Sequence, residues 1–239
     1  MKSVYIFKKI FNNILKDKWL GIVRYNKTIQ KKLNLNINDY KEYSQLYSSI
    51  ELEIKLIHNS DRFINISKTD KSFYHIYFDG EKEEFKESIF YNEDKCECNL
   101  IKIKIDYQVV SFESLFADCK DIESLCFKKF TRININNMKC MFKGCSSLKE
   151  LNLDKFVTNN VTDMSEMFSG CKSLKTLDLS NFNTNNVTIM NEMFFKCSSL
   201  EELNISNFNI DNVTYMEDMF AGCLNILRRK LINKIKILS

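Results

Sequence analysis

The sequence predicts an α+β chain: a solenoid of short parallel strands and short helices, preceded by N-terminal helices and a small antiparallel β module. Three observations carry that expectation. Cys119, Cys145, Cys171, Cys197 and Cys223 fall 26 residues apart, and Phe116, Phe142, Phe168, Phe194 and Phe220 share the same period. Between these markers a single template, L-x-x-L-x-L-x-x-F-x-x-x-x-V-x-x-M-x-x-M-F-x-x-C, runs from Leu148 to Cys171. It is refilled without a gap by Leu174–Cys197 and Leu200–Cys223. Ahead of the repeat, Ile50–Leu56 and Ile101–Ile105 alternate apolar and charged residues, the period of a strand with one buried face.

The repeat also implies how each unit folds. Leu151 and Leu153 point inward and Asn152 outward, as in a short strand. Val161, Met164, Phe168 and Cys171 recur at spacings of three and four, which reads as the apolar stripe of a short helix. Asn160, Asn186 and Asn212 then fall where a helix needs an N-cap. Gly144, Gly170 and Gly222 fall where a left-handed residue would end it, with Asp118 and Lys196 in the other units. A unit this small cannot bury its own apolar face, so the units must stack.

Composition excludes several classes. The 239 residues include no Pro and 5 Gly, too few for a collagen-like or Pro-rich disordered chain or for a glycine-rich phosphate cradle. The longest apolar stretches are broken by charge well before the roughly 18 residues of a membrane span, and Val4–Phe7 is too short for a signal-peptide core. An intracellular, cytoplasmic setting is therefore expected, with the nine cysteines as free thiols.

The net charge of +4 conceals a segregation. Residues 1–32 hold nine Lys and Arg against one acid, and residues 224–239 hold five against none, so the body between them is acidic. This argues against nucleic acid as a partner. The organisation expected is a basic helical region over 1–48, a β-rich module over 49–106, about 4.5 repeats over 107–226, and a basic cap or tail over 227–239. Val4, Phe7, Ile10, Phe11, Ile14 and Leu15 form one stripe of a helix, and a second helix is expected from Leu20 to Lys32. Packing against the next domain is favoured for these helices over contact with a membrane surface.

The copies SSLKELNLDKFVTNNVTDMSEMFSGC, KSLKTLDLSNFNTNNVTIMNEMFFKC and SSLEELNISNFNIDNVTYMEDMFAGC resemble the BspA-like class of leucine-rich repeats over residues 107–226. The resemblance implies a protein-interaction fold, often found at microbial surfaces and in adhesion.

No metalloprotease pair, nucleophile elbow or dinucleotide fingerprint is present, and His58 and His75 are the only histidines. No enzyme activity, metal or cofactor is expected. The ladder cysteines are assigned to packing, while Cys96, Cys98, Cys126 and Cys140 remain open to redox or metal chemistry, with Cys126 and Cys140 expected to face solvent. Asn160, Asn186 and Asn212 also begin formal glycosylation sequons.

The surface left for function is the strand side. Its outward positions are Glu150, Asn152 and Asp154, then Thr176, Asp178 and Ser180, then Glu202, Asn204 and Ser206. They form a polar, mildly acidic strip expected to run continuously across parallel strands and to bind a protein partner. The reading is a non-enzymatic interaction or scaffold module. The alternatives are a cell-surface adhesion or antigen protein, and an adaptor whose N-terminal helices recruit a partner.

Overall fold

In a computed structural model, residues 27–28, 31, 49–57, 62–78, 100–106, 108–130, 134–227 and 229 are described. The chain divides into two units, Met1–Ser49 and Ile50–Ser239. In the first, only Lys27, Thr28, Lys31 and Ser49 are described, the first three with helical backbone. The stripe and the helix expected over 1–48 therefore lie almost wholly outside the described residues. So do His58, Cys96, Cys98 and all but the start of the expected cap over 227–239.

The second unit holds seven strands among its described residues: β1 (Ile50–Leu56), β2 (Tyr74–Phe78), β3 (Leu100–Ile105), β4 (Ile122–Phe130), β5 (Glu150–Asn152), β6 (Thr176–Asp178) and β7 (Glu202–Asn204). One 3-10 turn, Lys71–Phe73, precedes β2. The alternation in β1 and β3 works as read. Ile50, Leu52, Ile54 and Leu56 are buried with Ile101, Ile103 and Ile105, while Glu51 and Glu53 sit opposite Lys104 and Lys102 on the outer face.

The expected fold class is overturned. The described elements are almost entirely β, with helical backbone confined to residues 27–28, 31, 225–227 and 229, and the antiparallel strands are not a separate module. β1, β2 and β3 join β4 and β5 in one mixed sheet of order β2-β3-β1-β4-β5, while β6 and β7 form a second, two-stranded sheet. β4 makes the join, pairing antiparallel with β1 and parallel with β5. A single parallel ladder flanked by helices, the expected solenoid, does not form.

The segment read as a helix fails to be one because of where its N–H groups go. An α-helix sends each N–H to the carbonyl four residues back in its own segment. Here alternate N–H groups leave the unit: those of Met164, Glu166, Phe168 and Gly170 donate to the carbonyls of Ile189, Asn191, Met193 and Phe195 at 2.7–3.0 Å. The intervening N–H groups of Met167, Ser169 and Cys171 close turns onto carbonyls three residues back. The same pattern joins the units at 112–118, 138–144 and 190–196 to their successors. Stripes at three and four are thus produced by successive turns as well as by a helix.

This turn run needs two left-handed residues per unit. Asp118, Gly144, Gly170, Lys196 and Gly222 occupy the position read from the sequence, with φ of 54–79°. Ser114, Cys140, Glu166, Glu192 and Asp218 form a second series at 52–57°, in which no unit uses glycine. Each non-glycine residue there bears about 1–2 kcal/mol of steric cost. With no helix to cap, Asn186 and Asn212 instead donate their side-chain N–H to the carbonyls of Asn159 and Asn185 in the preceding unit, at 2.6 and 2.7 Å.

Identical side chains stack between units. The rings of Phe116, Phe142, Phe168, Phe194 and Phe220 are parallel within 10° at centroid spacings of 5.5–5.6 Å. A second column joins Phe130, Phe156 and Phe182. The ladder cysteines are more than small hydrophobes: the thiols of Cys145, Cys171, Cys197 and Cys223 donate to the carbonyls of Phe116, Phe142, Phe168 and Phe194 at 3.0–3.2 Å. Thr158 and Thr184 are buried polar side chains that the sequence reading missed. Each donates to the carbonyl and accepts from the N–H of Asn183 or Asn209 one unit on.

The first unit lacks a predecessor, and Asn65 substitutes for one. Its backbone N–H donates to Leu115 O at 2.7 Å, and its side-chain amide donates to Ser114 O and Ala117 O at 2.9 and 2.8 Å. Arg62 Nε in turn holds Asn65 Oδ1 at 2.9 Å. Asn65→Ala keeps the backbone bond, leaves the part-buried Ala117 O without its amide donor and removes a second donor from Ser114 O, which keeps the Ala117 N–H, so a loss of about 1–3 kcal/mol is expected in urea denaturation of the full chain. Asn65→Asp, which cannot donate, should lose at least as much; wild-type stability in either variant would show that the amide caps nothing.

Candidate functional site

The nine strand-side residues are placed by three-residue strands in consecutive units. Glu150 and Asn152 lie on β5, Thr176 and Asp178 on β6, and Glu202 and Asn204 on β7, all exposed. Asp154, Ser180 and Ser206 follow two residues after each strand. There the chain turns because the Asn152, Asp178 and Asn204 side-chain oxygens accept the N–H of Asp154, Ser180 and Ser206 at 3.0, 2.8 and 3.2 Å. Hydrogen bonds from the Ser180 side chain and backbone, with Asn204 beside them, hold the Asp178 carboxyl below its ordinary range.

The strip is not continuous as expected. β4 pairs with β5 and β6 with β7, but no pairing joins β5 to β6. A cleft of about 460 Å³ opens at that break. It gathers six of the nine candidates, Glu150, Asn152, Asp154, Thr176, Asp178 and Ser180, together with Lys149 and Asn181. Glu202, Asn204 and Ser206 lie one strand further on and do not line it. Lys149 pairs with Glu123 at 3.1 Å, which also pairs with Lys55 at 2.8 Å; these two lysines, Lys55 first, lower the Glu123 carboxyl. Asn181, which sequence reasoning passed over, ties the units together by donating to Leu153 O and Phe156 O at 2.9 and 3.1 Å.

The remaining reactive groups are spread apart. His75 Nε2 lies 3.1 Å from Asp106 Oδ2, on the edge strand β2. Cys126 is half-buried on β4, in register with Glu53. Cys140 corrects an expectation: it is buried rather than facing solvent, with its thiol 3.8 Å from Glu166 Oε1 and Lys143 paired to the same carboxylate. Burial, then the Glu166 charge, pushes the Cys140 thiol up to about 11. Among the described residues no group of three or more His, Cys, Asp or Glu is placed to hold a metal ion, and no helix is long and apolar enough to cross a membrane.

Fold and site define a β-rich repeat protein whose units share their backbone hydrogen bonds and whose polar strand face carries a cleft between β5 and β6. Residues 110–232, just over half of the chain, match the family model described as Mycoplasma protein of unknown function, DUF285, and the chain belongs to that family. No curated protein and no solved structure matches it.

The ladder thiols give a pH prediction. Burial pushes Cys119 up to about 12 and raises Cys145, Cys171 and Cys197 well above the ordinary thiol value. In the unfolded chain these thiols ionise near pH 8.5, so the native state binds more protons above that pH and stability falls as pH rises. Below about pH 8 the thiols contribute no pH dependence. Each fully buried thiol adds a slope of up to about 1.4 kcal/mol per pH unit. Cys171→Ala is less stable than wild type at pH 7, and urea unfolding should show the gap narrowing by roughly 1 kcal/mol between pH 9 and 10. A gap that stays constant would contradict the burial of that thiol.

Proposed function

We propose that the chain is a non-enzymatic interaction or scaffold module that binds a protein partner through the strand face around β5, β6 and β7. The observation that carries this reading is the division of labour within each unit. The repeated Phe, Met, Cys, Leu and Val positions are committed to the core, whereas Glu150 and Glu202 project outward, exposed, at one repeat position, and Asp178 does so at the position two residues further along its strand. Residues that recur in register yet contribute nothing to the columns present a surface rather than a catalytic centre. The resemblance of the repeat to the BspA-like leucine-rich class, a family of interaction proteins, supports the same reading.

Within this reading the protein works inside the cell. Surface display in adhesion, the other role the resemblance brings, is distinguished by membrane-impermeant biotinylation of intact cells: an internal protein stays unlabelled until lysis, and labelling before lysis transfers the proposal to adhesion.

The binding reading is tested by affinity capture from the protein's own cell, comparing the full chain with the combined variant Glu150→Lys, Asp178→Lys, Glu202→Lys. These side chains are exposed and make no column contact, and Asp178→Lys gives up the turn bond from Ser180 N, so stability should fall by no more than about 1 kcal/mol while the specifically captured partner falls at least tenfold. Equal capture by both proteins would remove the strand face as the binding surface.

A further inference from the structure

The break between β5 and β6 is confined to one side of two units that are otherwise fully bonded. On the turn side, Asn137, Asp163 and Ile189 continue an unbroken series of parallel bridges, and four N–H groups cross between the same two units. On the strand side, the neighbouring junctions are closed by Lys149 N to Glu123 O, by Glu201 N to Lys175 O and by Leu179 N to Asn204 O, at 2.8–2.9 Å. The equivalent bonds from Lys175 N to Lys149 O and from Leu153 N to Asp178 O are not made. Side-chain bridges close the cleft at both ends: Ser173 Oγ to Ser146 O at 2.7 Å, and the Asn181 amide to Leu153 O and Phe156 O. Each flanking strand therefore keeps one edge that no other strand pairs, and such edges are templates for another extended chain.

The charge around these edges has one sign in excess. Glu150, Asp154 and Asp178 line the cleft, and its one lining cation, Lys149, is held by Glu123. These carboxylates stand at separate positions along two strands, an arrangement that suits cationic groups spaced along a chain. Three-residue edges span about 10 Å of partner strand, along which side chains on one face recur every second residue.

Building on the binding proposed above, we infer that the β5–β6 cleft takes an extended basic segment of the partner protein. The segment's main chain pairs with the free strand edges, and its Lys or Arg side chains meet Glu150, Asp154 and Asp178. Main-chain pairing supplies affinity that is independent of the side chains, and the carboxylates select a cationic strand over a neutral or acidic one.

Fluorescence anisotropy of labelled peptides on the full chain at physiological salt tests this. The probes are the heptapeptide Thr-Lys-Thr-Lys-Thr-Lys-Thr, its Glu counterpart, and the Lys peptide N-methylated at alternate backbone positions. The Lys peptide should bind, the Glu peptide should not, and N-methylation should weaken binding at least tenfold. Asp178→Asn and Glu150→Gln should each weaken it several-fold, whereas Asp211→Asn, an exposed acid away from the cleft, should leave it unchanged. Hydrogen exchange should slow at residues 150–154 and 176–180. Failure of the Lys peptide to bind, or binding indifferent to N-methylation or to the cleft variants, overturns strand addition. If the triple variant nonetheless loses its captured partner, the interaction reading stands and only the inserted basic strand is wrong; if capture is unaffected while the peptide binds as expected, the reverse holds.

Discussion

Everything in the repeat depends on the export of every second backbone N–H from one unit to the next. A bond from residue i to the carbonyl of residue i+25 fixes the repeat length, because one inserted or deleted residue would misplace four such bonds and every side-chain column at that junction. With buried backbone groups costing about 1–3 kcal/mol each when unpaired, the length is more tightly constrained than any side chain. The columns follow from it. Once units are held in register, identical residues lie over one another, so Phe stacks on Phe, and each thiol from Cys145 onward meets the same Phe carbonyl. That carbonyl already accepts the N–H of the cysteine in its own unit, and a thiol, a weak second donor on a small side chain, fits there where Ser would add a hydroxyl to the apolar column.

The same bonding explains the strain. Two left-handed residues per unit, most of them not glycine, would be hard to understand in a free-standing loop. From Ser114 to Lys196 each sits where its own N–H must leave the unit and the next N–H must close back by a turn, so hydrogen bonds on both sides over-determine the conformation. Asn65 obeys the same logic from outside the repeat: the first unit still presents the Leu115 and Ala117 carbonyls shaped for a predecessor, and one asparagine fills both with its backbone N–H and its two-proton amide, which also reaches the turn carbonyl of Ser114.

The period, the core positions and the outward strand residues were legible because each is a property of residue type repeated at fixed spacing. The helix was misread because spacings of three and four are common to a helix and to successive turns; the distinguishing fact, the destination of alternate N–H groups, is carried by the backbone and not by side chains. Gly144 and Gly170 betrayed one left-handed position, whereas Ser114, Cys140 and Glu166 hid the other, and the burial of Cys140 was lost with it. The mixed sheet was hidden for another reason. Ile122–Phe130 meets the template of a repeat strand, and nothing in it announces that its other edge pairs antiparallel with β1. The break between β5 and β6 left no trace in the template either, since Leu151 and Leu177 occupy the same place in their units.

That break has a physical consequence for binding. An opening between two strands would ordinarily close by sliding one strand toward the other. Here the turn-side bonds, the Phe columns and the Asn181 bridge already fix the two units against each other, so strand-side pairing cannot be gained without losing bonds elsewhere. The cleft is in this sense pre-organised: ordering its walls was completed when the repeat folded, and a partner segment bears the ordering cost of its own chain alone. Because the carboxylates at its rim take no part in the columns, affinity at the cleft and stability of the repeat are free to vary independently, which is what allows a structurally invariant scaffold to present a variable surface.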